Sequence, residues 1–191
     1  MTIYYTKLKG MEVLAEQEGA LLGSVRWVVI DSKRKQAKAL VFKGRGVAGE
    51  KWAKVTDVKR IGRDVVFLSA LAAVRDGPPR GRDVRDMLGL PVTSLDGKRL
   101  GILDDLVFAD DTWKVASVVI EGGAEVDLAG EAVLGEDTLL LQKGAQEQLR
   151  RKKTTGGKGF LDRVFSSERP AAKKKKTARK SSKRKSTRRK S

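Results

Sequence analysis

The fold of this chain is decided by residues 96–122, which read DGKRLGILDDLVFADDTWKVASVVIEG. Asp96-Gly97 is a tight-turn dipeptide, and the apolar run from Leu100 to Phe108 follows it as a strand. Asp110-Asp111-Thr112 makes the next turn, and Lys114 to Ile120 returns as a second strand. The stretch therefore predicts one complete β-hairpin.

The first half of the chain has the same layout 78 residues earlier. The matching positions are Gly19 with Gly97, Gly23 with Gly101, Leu40-Val41-Phe42 with Val118-Val119-Ile120, and Gly44 with Gly122. Few unrelated segments would keep one register over so many glycines. This register predicts an internal duplication.

Composition and the positions of glycine and proline divide the chain into five parts. They are a first repeat at 1–72, a Pro/Gly linker at 73–83, a second repeat at 84–143, short helical segments at 144–169 and a basic tail at 170–191. Pro78-Pro79 removes two amide donors and disfavours helix before it, so we expect an extended and stiff linker. Each repeat is near the lower size limit for a self-sufficient core, so packing of the two repeats on each other would stabilise both.

Short strands bounded by turn residues fill both repeats, which predicts an all-β fold of two small antiparallel barrels. Besides the hairpin at 96–122, the predicted strands are Leu21–Asp31, Ala37–Phe42, Trp52–Val55, Val58–Ile61, Val65–Leu68, Val126–Leu128, Ala132–Leu134 and Thr138–Gln142. One helical turn is expected at 84–92, before the first strand of the second repeat.

The spacing of glycines and apolar residues in the second repeat resembles that of the PRC-barrel, the small β-barrel domain of the photosynthetic reaction centre H subunit and of the ribosome maturation factor. The motifs that carry the resemblance are Gly89-x-x-Val92, Asp96-Gly97-x-x-Leu100-Gly101-x-Leu103, Val118-Val119-Ile120 and Leu134-Gly135-x-Asp137. In the first repeat, Glu18-Gly19-Ala20-Leu21-Leu22-Gly23-Ser24-Val25 has the same spacing, although Arg26-Trp27 stands where the family more often has an acidic residue.

The resemblance covers residues 8–142 and implies a strongly bent antiparallel sheet of about six strands in each repeat. It also implies a docking module without a catalytic motif. The shared features are turns and core positions, so the resemblance predicts the fold more directly than it predicts a ligand.

Charge divides the chain more sharply than hydropathy does. The sequence holds 41 basic and 24 acidic residues, a formal net charge of +17. Residues 150–191 contain 19 of the basic residues and two acidic ones, so the chain before them is neutral overall. The neutral part is itself polarised, with a net charge of +9 for residues 1–82 and −9 for residues 83–149. The basic and acidic halves would attract each other, and the acidic half could also attract the tail.

The segment after Pro170 consists only of Lys, Arg, Ala, Ser and Thr, a composition similar to the tails of linker histones and of lysine-rich bacterial nucleoid proteins. Without apolar side chains to offset the entropy of ordering, it is predicted to be disordered alone. Such a tail binds DNA or RNA without sequence preference, because each neutralised phosphate releases counterions. The predicted nucleic-acid-binding residues are Lys173, Lys174, Lys175, Lys176, Arg179, Lys180, Lys183, Arg184, Lys185, Arg188, Arg189 and Lys190. Anionic lipid, or acidic protein such as the second repeat itself, is the alternative polyanion.

An apolar stripe precedes the tail, at the spacing of one face of a short helix: Phe160, Leu161, Val164 and Phe165. Two interpretations stay open for it. Either it folds back on the barrels as a capping helix, or it anchors the chain to a membrane surface beside the polybasic run.

No residue pattern predicts catalysis, a cofactor or a metal site. The chain has no cysteine and no histidine, which excludes disulfides and thiolate sites and removes the usual general base. Asp104-Asp105 and Asp110-Asp111 could suggest a cation site, but neighbouring carboxylates on a strand point to opposite faces and do not converge on one ion. They are interpreted as solvated edge and turn residues. Gly44 to Gly49 has a G-x-G-x-x-G spacing, but a strand rather than a helix is expected after it, so it is interpreted as a hairpin loop.

Three tryptophans, Trp27, Trp52 and Trp113, are expected to pack in the core or at the barrel ends. The sequence as a whole predicts a non-catalytic adaptor whose barrels bind a protein partner, or each other across chains, while the tail holds the assembly on nucleic acid. The alternative is a membrane-surface adaptor that binds anionic lipid. We expect a cytoplasmic location, at the nucleoid or at the inner face of the membrane, because the start lacks a signal-peptide core and the longest apolar run, Val65 to Val74, is too short to span a bilayer.

Overall fold

The computed structural model describes residues 1–44 and 49–149, which are built almost wholly from short strands. The strands are β1 Thr2–Tyr4, β2 Glu12–Ala15, β3 Ala20–Asp31, β4 Gln36–Gly44, β5 Glu50–Lys54, β6 Val58–Ile61, β7 Val65–Leu68, β8 Arg82–Asp83, β9 Pro91–Ser94, β10 Arg99–Ala109, β11 Val115–Ile120, β12 Ala124–Asp127, β13 Val133–Leu134 and β14 Leu139–Leu141. Helix α1 spans Tyr5–Leu8, and 3-10 turns occupy Val55–Asp57, Leu71–Ala73 and Val84–Asp86. No helix in these described ranges is long and apolar enough to cross a membrane.

The strands form two curled sheets of seven strands with the same order. The first sheet runs β5-β4-β3-β2-β7-β6, and the second runs β12-β11-β10-β9-β14-β13. In each, one pair is parallel, β2 with β7 and β14 with β9, and the pairs along the rest of the order are antiparallel. The matching orders confirm the internal duplication and the fold of two tandem small barrels.

A glycine near the start of each long strand allows its hairpin to close. Gly23 pairs with Gly44, and its φ of 151° lies in a region that favours glycine. A Cβ built on Gly23 would overlap the Lys43 carbonyl oxygen. The equivalent Gly101 has a φ of 145°, and a Cβ there would lie 2.5 Å from Cγ2 of Ile120. The repeated glycine therefore marks a close approach in both barrels, to the backbone of Lys43 at Gly23 and to the side chain of Ile120 at Gly101.

The two repeats exchange their first strands. Strand β1, at the start of the chain, pairs with β10 of the second sheet, in a register that places Tyr4 opposite Val107. Strand β8, just before the second repeat, pairs with β3 of the first sheet and places Arg82 opposite Ile30. Each sheet is thus completed by the segment that leads into the other repeat.

The two main hairpin tips also meet. The Ala37 N–H donates to the Trp113 carbonyl at 2.7 Å, and the Val115 N–H donates to the Lys35 carbonyl at 2.8 Å. The two bonds are equivalent under the 78-residue offset. Lys35 and Trp113 adopt the left-handed conformation, with φ values of 51° and 57°. Left-handed backbone costs a non-glycine residue about 1 kcal/mol or more, so tertiary contacts must hold both tips in this shape.

One hydrophobic cluster runs through both repeats. Phe42 and Leu40 contribute from the first sheet, and Phe108, Leu106 and Trp113 contribute from the second. The repeats therefore share a core, as expected for units that are small when taken alone.

The predicted strands are confirmed to within one or two residues at most ends, and the expected helical turn before β9 is present as the 3-10 turn Val84–Asp86. The sequence interpretation missed β1, α1 and β8, which are short and lie outside the hairpins. The linker runs past the first sheet, where Arg75 and Trp52 exchange two backbone hydrogen bonds of 2.8 and 3.0 Å.

Candidate docking surfaces

The residues predicted to bind a polyanion, Lys173 to Lys190, lie outside the described residues. The same holds for the apolar stripe from Phe160 to Phe165. Both stay predictions from the sequence. The described part of the chain instead contains surfaces of the barrels that the sequence interpretation did not single out.

The acidic pairs occupy two kinds of environment, and the prediction that they are all solvated is wrong for Asp105. Asp104 is exposed, whereas Asp105 on the neighbouring strand position is only 5% exposed. Asp111 is exposed, and Asp110 pairs with the amino terminus of Met1 at 3.0 Å. In the described ranges, the structure contains no group of three or more acidic side chains that would hold a metal ion.

Asp105 is buried because it caps a helix of the other repeat. Its carboxylate accepts the Thr6 N–H at 3.2 and 3.3 Å and also the Thr6 hydroxyl, so it binds the first turn of α1. The Leu106 N–H donates to the same carboxylate at 2.8 Å. Burial raises the pKa of Asp105, against the hydrogen bonds from Thr6 and Leu106, which lower it.

The equivalent contact, from the first repeat to the first turn of the second, is a cation–π contact and not a carboxylate cap. At the position of Asp105 the first repeat has Trp27, and the Arg85 guanidinium lies 3.5 Å from the centre of the Trp27 ring. The backbone N–H of Arg85 donates to the Asp83 carboxylate, two residues earlier in the chain, at 2.8 Å. Asp83 also pairs with the Arg85 guanidinium at 2.6 Å. At Trp27 a cation–π contact therefore stands where the second repeat has a carboxylate cap.

The prediction that the tryptophans pack in the core or at barrel ends is confirmed for Trp113, which is 5% exposed and stacks at a tilt on Phe108 with ring centres 6.5 Å apart. Trp27 and Trp52 are half-buried and pack on a second, smaller cluster on the outside of the first sheet. We call this surface the outer apolar face; it consists of Trp27, Val29, Ala39, Val41 and Trp52.

The corresponding surface of the second sheet is more polar, with three polar residues among five. The strand registers place Asp105, Val107, Ser117, Val119 and Glu125 at the positions of the five residues of the outer apolar face. There the Ser117 hydroxyl and the Tyr4 phenol both donate to the Glu125 carboxylate. The outer apolar face is thus particular to the first repeat, although the backbones match.

The linker crosses the outer apolar face and leaves a cleft on each side of Pro78-Pro79. The larger, of about 560 Å³, has apolar walls formed by Ala37, Ala39, Trp52, Val55, Pro78 and Pro79. Its rim carries four cations, Arg34, Lys38, Lys54 and Arg80. We call this cavity the basic cleft. The smaller cleft, of about 440 Å³, lies against Trp27 and Val41 and includes Glu50 and Asp83.

Hydrogen bonds fix the linker beside the basic cleft. The Trp52 indole N–H donates to the Asp76 carbonyl at 3.2 Å, and Lys51 forms an ion pair with the Asp76 carboxylate. Together with the two backbone bonds between Trp52 and Arg75, these contacts hold the chain as it enters Pro78-Pro79. The prediction of an extended linker did not reveal that the linker would form a wall of a cavity.

The glycine-rich stretch from Gly44 to Gly49 is described only at its ends. Strand β5 follows it, as predicted, and pairs with β4. A phosphate site of the G-x-G-x-x-G kind needs a helix at this point, so the strand argues against one.

These features define a class of small, duplicated β-barrel whose strands are mostly antiparallel. The family model of the PRC-barrel domain matches residues 1–74 and again residues 80–143. The chain therefore belongs to the PRC-barrel domain family and contains two copies of the domain in tandem. PRC-barrel domains are in general not catalytic. The comparison with curated proteins found no match to this chain.

Proposed function

We propose that this protein is a non-catalytic adaptor, in which the paired barrels bind a protein partner and the basic tail holds the complex on nucleic acid. The observation that carries the barrel half of the proposal is the outer apolar face of the first repeat. An apolar, partly covered surface with clefts beside it is typical of an interaction site. Three of the five matching positions of the second repeat are polar, so the duplication alone does not account for it.

The tail half of the proposal is supported by charge density. Residues 150–191 hold 19 basic residues against two acidic ones. Affinity from such a segment depends on counterion release and not on sequence, so binding of both DNA and RNA is expected. The absence of aromatic residues after Phe165 fits electrostatic binding without base stacking.

Binding of duplex DNA across a salt series tests the tail half. For six to ten phosphate contacts, the affinity should fall about 10³–10⁵-fold between 50 and 200 mM salt. A chain that ends at residue 156 keeps every described residue and loses 15 of the 19 cations, so it should lose most of this binding. Equal binding by the shortened chain would overturn the assignment of the tail.

A vesicle assay separates the lipid alternative. If the full chain binds vesicles of anionic lipid more tightly than duplex DNA at the same salt concentration, and Phe160→Asp with Phe165→Asp abolishes the vesicle binding, the membrane-surface adaptor replaces the nucleic-acid adaptor. The nucleic-acid proposal predicts that the same two substitutions leave DNA affinity within about twofold, because they add only two charges to a strongly cationic segment.

A further inference from the structure

The basic cleft combines an apolar interior with a cationic rim. We propose that it binds an extended acidic segment of a partner protein, with one apolar side chain in the cleft and neighbouring carboxylates on Lys38, Lys54 and Arg80. The inference rests on the proposed function, because it specifies the chemistry of the partner that the barrels dock.

The interior of the cleft is suited to one large side chain. Its volume of about 560 Å³ falls in the range of roughly 300–1,000 Å³ that is usual for ligand sites. Ala39 is 1% exposed and Ala37 is 2% exposed, so the floor belongs to the folded sheet. Because small alanines form the floor and Trp52, Pro78 and Pro79 form the walls, the space between them stays open.

The rim offers positive charge that the chain itself does not neutralise. Lys38, Lys54 and Arg80 are exposed, and none of the three forms an ion pair within the described residues. Arg34 differs, since Asp31 lies 3.9 Å from it. Three unpaired cations around an apolar cavity complement a segment whose carboxylates flank an apolar residue. Such complementarity selects partners and raises association rates.

The cleft is preorganised. One wall is sheet, and the other is the linker, which is held by the Arg75 and Trp52 backbone bonds and stiffened by Pro78-Pro79. A partner therefore need not order this wall when it binds, which lowers the entropic cost of association.

Other occupants fit less well. The basic tail has the same sign of charge as the rim, so electrostatics oppose its entry. Single-stranded nucleic acid would need an aromatic face for stacking. The Trp52 indole already packs on Val29, Ala39 and Val41, and the Arg75 guanidinium lies 5.6 Å from its ring centre, which leaves little free face for a base.

The test uses a pair of labelled peptides made of Asp and Glu with one central residue, either Phe or Ala. Both peptides have the same charge, so the tail of the full-length protein binds them equally. Burial of the Phe ring in the cleft should make the Phe peptide bind about tenfold tighter or more, as measured by fluorescence polarisation at about 0.15 M salt. Equal affinities for the two peptides would overturn the proposal.

Matched charge variants assign the difference to the cleft. In full-length Lys38→Glu with Lys54→Glu, the Phe-to-Ala affinity ratio should fall to about one, because the peptide no longer seats and only the tail binds it. Lys175→Glu with Lys183→Glu makes the same change of charge in the tail and should keep the ratio of the unmodified protein. If both variants keep the ratio, or both lose it, the cleft is not the site.

An NMR spectrum of the indole N–H groups locates the bound peptide directly. The chain has three tryptophans, and the signal of Trp52 is assigned with Trp52→Phe. The Phe peptide should shift the Trp52 signal and leave that of buried Trp113 unchanged. A shift of Trp52 with an oligothymidylate, but none with the Phe peptide, would replace the acidic segment by nucleic acid. A dimer that dissociates in Lys38→Glu with Lys54→Glu would assign the cleft to a second copy of the chain and overturn the proposal.

These outcomes are separate from those of the proposed function. If the peptide pair fails and salt-sensitive DNA binding by the tail remains, only the partner chemistry is wrong. If DNA binding fails and the peptide ratio holds, the cleft assignment survives the loss of the tail assignment.

Discussion

Single residues show how the two copies of the domain diverged on a common backbone. Asp105 caps the first turn of α1, whereas its counterpart Trp27 stacks under Arg85. Each contact joins one repeat to the first turn of the other. The Trp27 indole forms part of the outer apolar face, and Asp83 supplies the cap of the equivalent turn, so one position serves both packing and the candidate docking surface.

Tyr5 provides a test at this scale. Its side chain is 1% exposed, and its hydroxyl has no hydrogen-bond partner in the described residues. Burial, and then the charge of Asp83, raises the pKa of Tyr5 to about 12, so the phenol is neutral near pH 7. Tyr5→Phe removes an unpaired buried polar group and should raise the free energy of unfolding by about 1 kcal/mol in urea denaturation. A loss of 1 kcal/mol or more would show that the hydroxyl is paired.

Asp105 provides a second test, based on pH. Because its pKa is raised in the folded state, its contribution to stability is present below the unfolded pKa of about 3.9 and is lost as pH rises through the folded pKa. Asp105→Asn has no such titration. The stability of the unmodified protein relative to Asp105→Asn should therefore decrease between about pH 3 and pH 7, as measured by urea denaturation at each pH. An increase over this interval would contradict the raised pKa.

At the scale of elements, the hairpins were predictable because their signals are local. Turn dipeptides, glycines and alternating residues lie next to each other in sequence, and the repeat at a fixed offset identified β3 with β10 and β4 with β11. The exchanged strands were not predictable in the same way. Strand β1 has three residues and β8 has two, and β1 pairs with a strand about one hundred residues away.

The candidate site was less accessible to sequence reasoning than the fold. Lys38, Lys54 and Arg80 come from two strands and the linker, and no spacing along the chain relates them. Regular alternation on β4 would place Lys38 on the same face as Leu40, which is buried, so the exposure of Lys38 comes from the register shift where Val29 pairs with Ala39 and Ile30 pairs with Ala37. No local pattern indicates the second face, which carries Ala39 and Val41. The apolar character of that face depends on which segment crosses it.

The hairpin glycines give a test at the scale of elements. Gly23→Ala would drive a methyl group into the Lys43 carbonyl, whereas Gly19→Ala places it in open space. Both glycines have positive φ, but the φ of 151° at Gly23 is less accessible to alanine than the φ of 61° at Gly19, so the difference between the variants combines backbone strain with the steric overlap. Gly23→Ala should lower the free energy of unfolding by about 1–3 kcal/mol more than Gly19→Ala. Equal losses would show that the two strands can separate at this point without cost.

At the scale of the whole molecule, exchanged strands, bonded hairpin tips and a common core join the two PRC-barrels. Such a molecule should unfold as one cooperative unit. Circular dichroism and tryptophan fluorescence should give coincident transitions in urea. Phe42→Leu and Phe108→Leu, one in each repeat, should each shift this single transition by about 1 kcal/mol. Two transitions, each shifted by only one of the substitutions, would contradict a shared core.

The joined barrels and the cationic tail are proposed to have separate tasks, and this separation is the central claim of the account. It is tested most directly by the affinity of the acidic Phe and Ala peptides for the full-length protein when duplex DNA saturates the tail. The account predicts that the Phe peptide still binds about tenfold tighter than the Ala peptide, because the cleft on the first repeat stays free. Loss of that preference when DNA is bound would show that DNA and the peptide compete for one surface, and would contradict the division between barrels and tail.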